Sequence, residues 1–287
     1  MLELLLNPKR AEREPWQMFF IGLFYATLSI LAATLVFGSD PVLSRYVGIF
    51  IVTFCVIFSM PFVYYTIKLE ERKDLENDKE MTLLREHGKA ILSFLWLFLG
   101  FVVAFSIMYM VIPNGQENFR AQIETFCQIN RPANFQSCIN QYGIGEVDEG
   151  VTGAVTSKER IFSIFSNNIY VLIFTILFSL IFGAGAIFIL AWNATVISAA
   201  IGIFIKSSIL QLPMGILRYM VHGLPEVAAY FIAALAGGIL SLAVIRHDFR
   251  SEKFWAIMED VLTLILVSMI ILFAAALIEV FIIPKLF

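Results

Sequence analysis

The chain has 287 residues, of which 59% are hydrophobic and only 15% charged, with a net charge of −3. An ordinary soluble domain carries about 45 to 50% apolar and about 25% charged residues, so this composition excludes that class and points to a chain that lives in a lipid bilayer. Several uninterrupted apolar stretches of about 20 residues, each able to cross a hydrocarbon core of about 30 Å, predict an all-α polytopic transmembrane bundle of about seven spans with no large soluble domain; no nucleic-acid partner is expected.

The first span is expected from Trp16 to Phe37. Gly38, Ser39, Asp40 and Pro41 lead from it straight into another span without a small-residue cleavage site, so it reads as a retained anchor and not as a signal peptide. The second span, about residues 45 to 67, closes a hairpin with the first through the tight turn GSDPVLSR. Residues 68–89 are dense in mixed charge and good helix formers, which predicts a helix that carries the second span out of the membrane. That helix is either a solvated spacer laced by pairs three and four residues apart or a docking surface for a cytoplasmic partner. Residues 1–89 therefore form an amino-terminal unit, and 90–287 the core.

The third span is expected from Ala90 to Ile112, followed by a polar loop over residues 113–164. Cys127 and Cys138 fall close together in this loop, whereas Cys55 lies alone in the second span. No histidine is near enough in sequence to complete a metal site, so the pair predicts a disulfide, closing a ring of about a dozen residues worth roughly 3 kcal/mol. A disulfide places the loop on the oxidising, outer side. Lys9, Arg10 and Arg13, with the six basic residues from Lys68 to Lys89, agree by putting the amino terminus in the cytoplasm.

The fourth span is expected over residues 165–193. Ser166, Asn167 and Asn168 fall where an N-cap is wanted at its outer end. Gly183 and Gly185, flanked by Ala184 and Ala186, offer a smooth surface for close packing of another helix or for lining a pathway. Beyond Asn193, expected to cap a new helix, residues 194–205 give only about 12 apolar residues, roughly 18 Å of helix. Lys206, Ser207, Ser208, Gln211, Pro213 and Gly215 then interrupt the run. Residues 194–221 accordingly predict a broken crossing or a re-entrant hairpin. Arg246, Arg250 and Lys253 face the cytoplasm in the first case, and Lys206, Arg218 and Lys285 in the second, so charge counting does not choose. Leu224–Ile245 and Val261–Ile283 complete the spans.

In the stretch RYMVHGLPEVAAYF, Pro225 suits the first position of a helix, Glu226 its first turn, and Gly223 a sharp turn just before. His222 is left without an assignment. On an unbroken helix His222 and Glu226 would share one face, but Gly223 and Pro225 argue for a break, so the pair is not read as a metal site. The chain has no H-E-x-x-H, G-x-S-x-G or phosphate-cradling glycine loop, and His87, His222 and His247 are scattered. Neither an enzyme nor a cofactor or metal site is expected.

The ordered set F-x-N-N (Phe165, Asn167, Asn168), G-x-G (Gly183, Gly185), Asn193, Gly202, H-G-x-x-E (His222, Gly223, Glu226), Gly237 and Gly238 resembles the stage II sporulation protein M family over residues 90–287. The resemblance implies a core of five spans with an outer loop after the first, a broken crossing and an outside carboxyl terminus, preceded here by an extra hairpin at residues 16–67. In spore-forming bacteria the founding member works with peptidoglycan-degrading partners during engulfment, while relatives without sporulation have no settled biochemical role. Ala186 and Ala194 stand where the family often has Thr and Gly.

Two functions follow as expectations. One is a non-enzymatic scaffold or accessory component for membrane or envelope proteins, working through the outer loop and the charged helix; a homo-oligomer is compatible with it. The other is a permease or channel-like component with a site at the broken helix, built from Asn193, Lys206, His222 and Glu226.

Overall fold

Lipid gives a backbone nothing to bond to, so a chain this apolar satisfies its amides within helices. The computed structural model of the protein describes residues 8–76, 83–130, 135–141, 157–182, 186–205, 208–246 and 252–287, and no strand occurs among them. After the short α1 (Pro8–Arg13) come α2 (Met18–Phe37), α3 (Val47–Glu76) and α4 (Leu83–Val111). Three shorter helices follow, α5 (Gly115–Asn118), α6 (Arg120–Asn130) and α7 (Phe135–Gln141). The rest of the chain is α8 (Ser157–Phe182), α9 (Ala186–Phe204), α10 (Leu212–Arg246), α11 (Glu252–Leu277), a π-helical turn (Ile278–Ile282) and α12 (Ile283–Leu286). Seven helices are long and apolar enough to cross a membrane.

The helix pairs show their directions. Ala11, Phe19 and Gly22 meet Ser93, Trp96 and Gly100 in that order, so α2 and α4 run parallel, whereas Phe62, midway along α3, meets Phe94 in the first half of α4. Ile187 at the start of α9 shares a small cavity with Ala90 and Phe94, and Gly202 near its end lies against the Tyr109 ring. α9 therefore runs parallel to α4 from the level of Ala90 to that of Tyr109. Phe94 stacks on Phe231 of α10 at 4.7 Å, and α8 and α11 pack on the other side of α10. One hydrophobic core takes in residues of α2, α3, α4, α9 and α10, so the amino-terminal hairpin and the later spans share it.

The fourth and fifth spans are divided differently from the expectation. α8 ends at Phe182, and α9 holds both Asn193 and residues 194–204, while residues 212–221 open α10. Residues 194–221 are thus neither a broken crossing of their own nor a re-entrant hairpin, but the second half of one full helix, a turn, and the start of another. Length explains this. An apolar run from 165 to 205 would extend about 60 Å as one helix, twice a bilayer core, so it must turn within itself. Gly183, Gly185 and Lys206 lie outside the described residues.

α2 and α4 cross at two glycines. A Cβ on Gly22 would fall 2.2 Å from the Leu97 carbonyl oxygen, and one on Gly100 would fall 2.2 Å from that of Phe19. Small residues allow this backbone approach, which is how helices gain packing energy in lipid. Gly100→Leu is expected to cost about 1 to 3 kcal/mol by overpacking and to lower the thermal unfolding temperature in detergent. Gly88→Ala, with nothing within 4 Å of the added carbon, serves as the control and should leave it unchanged.

Candidate functional site

Pro225 lies inside α10, not at its start, and Gly223 is helical and buried. The expected sharp turn before residue 224 is therefore absent. Proline lacks an N–H, so the carbonyl four residues earlier loses its helical donor. In lipid, neighbouring helices and local adjustments make this tolerable, whereas an open turn would expose several backbone groups at once. The consequence is that His222 and Glu226, four residues apart on a continuous helix, do share a face.

Asn167 and Asn168 are also interior to a helix. The SKER segment, assigned from sequence to the loop, forms the first turn of α8, so both asparagines lie well beyond the cap position. Asn168 is buried, and its Nδ2 donates to Oε1 of the half-buried Glu226 at 2.7 Å. Two motifs 58 residues apart are thereby joined by one hydrogen bond between α8 and α10. Further along the same helix pair, the Ser179 hydroxyl donates to the Ala234 carbonyl at 2.5 Å. A Cβ on Gly237 would fall 2.7 Å from the Ile176 carbonyl oxygen, so no larger residue fits that crossing.

Two further residues gather around this pair. Glu279, in the π-helical turn that follows α11, and Tyr230, one turn beyond Glu226 on α10, are within electrostatic reach of the Glu226 carboxyl group. The signal was present in the sequence. Glu279 is the one charged residue between Asp260 and Lys285. The ring of His222 is tilted against Tyr219 at 6.3 Å, one turn from Glu226.

The other expected members do not join. Asn193, interior to α9 and not a cap, donates its Nδ2 to the Ile189 carbonyl of its own helix at 2.8 Å. Gly202 faces Tyr109, and Gly238 is buried within α10. Cys127 and Cys138 form the expected disulfide, with Cα atoms 5.8 Å apart, and Cys55 is buried and free. Among the described residues no group of three or more His, Cys, Asp or Glu side chains is arranged to hold a metal ion. What the Glu226 cluster offers chemically is a carboxyl group with one oxygen bonded by an amide, and a second carboxyl and a phenol nearby.

Residues 91–284 match the family described as Stage II sporulation protein M. The chain belongs to the stage II sporulation protein M family. Nothing matches it among the curated proteins or the solved structures. The family region contains Asn168, Glu226, Tyr230 and Glu279, while the α2–α3 hairpin precedes it.

A hydrogen bond between membrane helices is worth up to about 2 kcal/mol. A double-mutant cycle with Asn168→Leu and Glu226→Leu, followed by unfolding in detergent, is expected to return a coupling of about 1 to 2 kcal/mol. Glu226→Gln, which keeps a carbonyl acceptor for Asn168, should be milder than Asn168→Leu. Strict additivity would remove the pair from any account of the bundle.

Proposed function

We propose that this membrane protein is a non-enzymatic scaffold or accessory component for cell-envelope or membrane-remodelling partners. Its amino terminus lies in the cytoplasm and its disulfide-closed loop outside. The observation that carries this reading is the cap at the end of the bundle. The Cys127–Cys138 bridge ties α6 to α7, Gln122 of α6 donates its Nε2 to the Gly48 carbonyl at 2.9 Å, and α6 packs against α9 and α3. The buried side of this cap is formed by Gln122, Ile123, Cys127, Cys138 and Ile139, while Gln128, Gln136 and Gln141 face outward. A polar surface fixed in this way to a rigid bundle is pre-organised for a protein partner, since little ordering entropy remains to be lost on binding.

A permease or channel-like component is the second reading, favoured by the gathering of Glu226, Tyr230 and Glu279 from two spans at membrane depth. Ionisable groups in that position are functional candidates by default. Against it stands the separation of Asn193 from Glu226, each satisfied by a different partner. Solute flux into vesicles reconstituted with the wild-type protein, and its loss in Glu226→Gln, would displace the scaffold reading.

Two measurements bear on the proposal itself. Photo-crosslinking residues at Gln128 and Gln136 in intact cells should yield discrete protein adducts that fade in the Cys127→Ser/Cys138→Ser variant; absence of adducts at both positions counts against a scaffold. For orientation, a membrane-impermeant thiol reagent should label Ser39→Cys in intact cells and Lys89→Cys only after lysis. Both positions are exposed, and the buried Cys55 and the disulfide give no background.

A further inference from the structure

The end of the bundle that carries the disulfide also holds a cleft of about 440 Å³, set between the end of α2, the start of α3 and the turn after α4. Ser44, Arg45, Asn114, Asn118 and Arg120 line it, and among the described residues Glu117 is the only acid on its wall. Arg45 is exposed and makes no hydrogen bond or ion pair among the described residues. The acid nearest to it in sequence is already engaged, because Asp40 accepts the backbone N–H groups of Leu43 and Val42 at 2.8 Å each. Those two bonds hold the Asp40 carboxyl below the usual carboxylate range. Arg120 is bound to Glu124 at 2.9 Å through Nε alone, which leaves the terminal amino groups of its guanidinium for another acceptor. With Glu124 counted beside Glu117 the charges balance, but Arg45 stays without an ion pair among the described residues and Arg120 keeps its terminal amino groups open, so two guanidinium forks of the kind that suits a phosphate face one cleft.

The depth of the cleft narrows the ligand further. The spans end at Phe37 and Val111 and begin at Leu43, so Arg45 and Asn114 lie at headgroup level. Immediately beside them in the chain, Leu35 is 81% exposed and Val111 63%, and Val36 and Val42 are similarly bare, while Tyr46 adds an interfacial aromatic ring. A soluble phosphate would use the arginines and leave this apolar rim uncovered; an amphiphile uses both.

We propose that this cleft binds the phosphodiester headgroup of an anionic phospholipid of the leaflet at the disulfide end. Arg45 and the terminal amino groups of Arg120 bond the phosphate oxygens, Ser44, Asn114 and Asn118 meet the polar head, and the acyl chains lie over Leu35 and Val111. The test is native mass spectrometry of the intact, detergent-released protein titrated with phosphatidylglycerol. One surface arginine contributes roughly a five-fold gain in affinity for anionic lipid. Arg45→Gln and Arg120→Gln should each weaken binding about that much, and the double variant by roughly 25-fold. Arg45→Lys, which keeps the charge but loses the fork, should fall between wild type and Arg45→Gln. Lys285→Gln, an exposed cation at the same end of the bundle, should bind as wild type. Wild-type lipid affinity in the double arginine variant overturns the proposal. So does displacement of the lipid by an equal concentration of glycerophosphoglycerol, which would make the cleft a site for soluble phosphodiesters.

Discussion

A carboxyl group near the middle of a membrane span must find its partners in the protein, because lipid supplies none. Glu226 meets that requirement through Asn168, and much of the family region is arranged by it. The bond fixes α8 against α10 in both depth and rotation, since Asn168 can reach only one face of its neighbour. With that register set, Ser179 reaches the Ala234 carbonyl and Gly237 falls opposite the α8 backbone. α11 and the turn that follows it then close over the same pair of helices, bringing Glu279 to the Glu226 level. A polar contact and a close backbone crossing on one helix pair reinforce each other, because each is available only in the register that permits the other.

The α2–α4 pair solves the complementary problem without a polar anchor. Gly22 and Gly100 bring two backbones together where any side chain would collide with a carbonyl. This crossing docks the hairpin that precedes the family region onto α4, which belongs to that region. The hairpin is thereby part of the bundle's core and not an attached anchor. At the disulfide end, Gln122 plays a similar part for the loop by reaching the Gly48 carbonyl. The amide ties the cap to the hairpin, so the extra spans help position the surface that the loop presents.

Much of this was legible in the residues. Apolar run length gave the spans of α2, α3 and α4 to within a few residues, and the cysteine spacing gave the bridge. The boundaries around residues 182 to 225 were not legible, for one physical reason. Glycine, proline and asparagine were read with the preferences they show in water, where a turn exposes its backbone to solvent at small cost. In lipid that alternative is closed, so helices continue through Pro225 and Gly223, and asparagines that resemble caps become interior bonding groups. The same reading hid the pairing and not the cluster: Asn167, Asn168, Asn193, Lys206, His222, Gly223 and Glu226 were the expected polar group, with Asn193 or Lys206 as the partners in view for Glu226. Treating Asn168 as a cap left no reason to join it to Glu226, which it bonds. Glu279 was overlooked because one acid in a long apolar run does not disturb a count of spans.

The two acids share a further property. Glu226 immediately follows a helical proline, and Glu279 lies in a π-helical turn, so each stands where regular backbone hydrogen bonding is interrupted. π-helical turns are frequent at functional positions, and a proline frees a carbonyl one turn earlier. Pure packing would favour regular helices at this depth, because every interruption leaves a backbone group to be satisfied in a dry interior. Two interruptions on facing helices, each beside a carboxyl group, therefore carry a cost that close packing does not require. The Gly22–Gly100 crossing, by contrast, joins α2 to α4 through close backbone approach with no proline inside either helix.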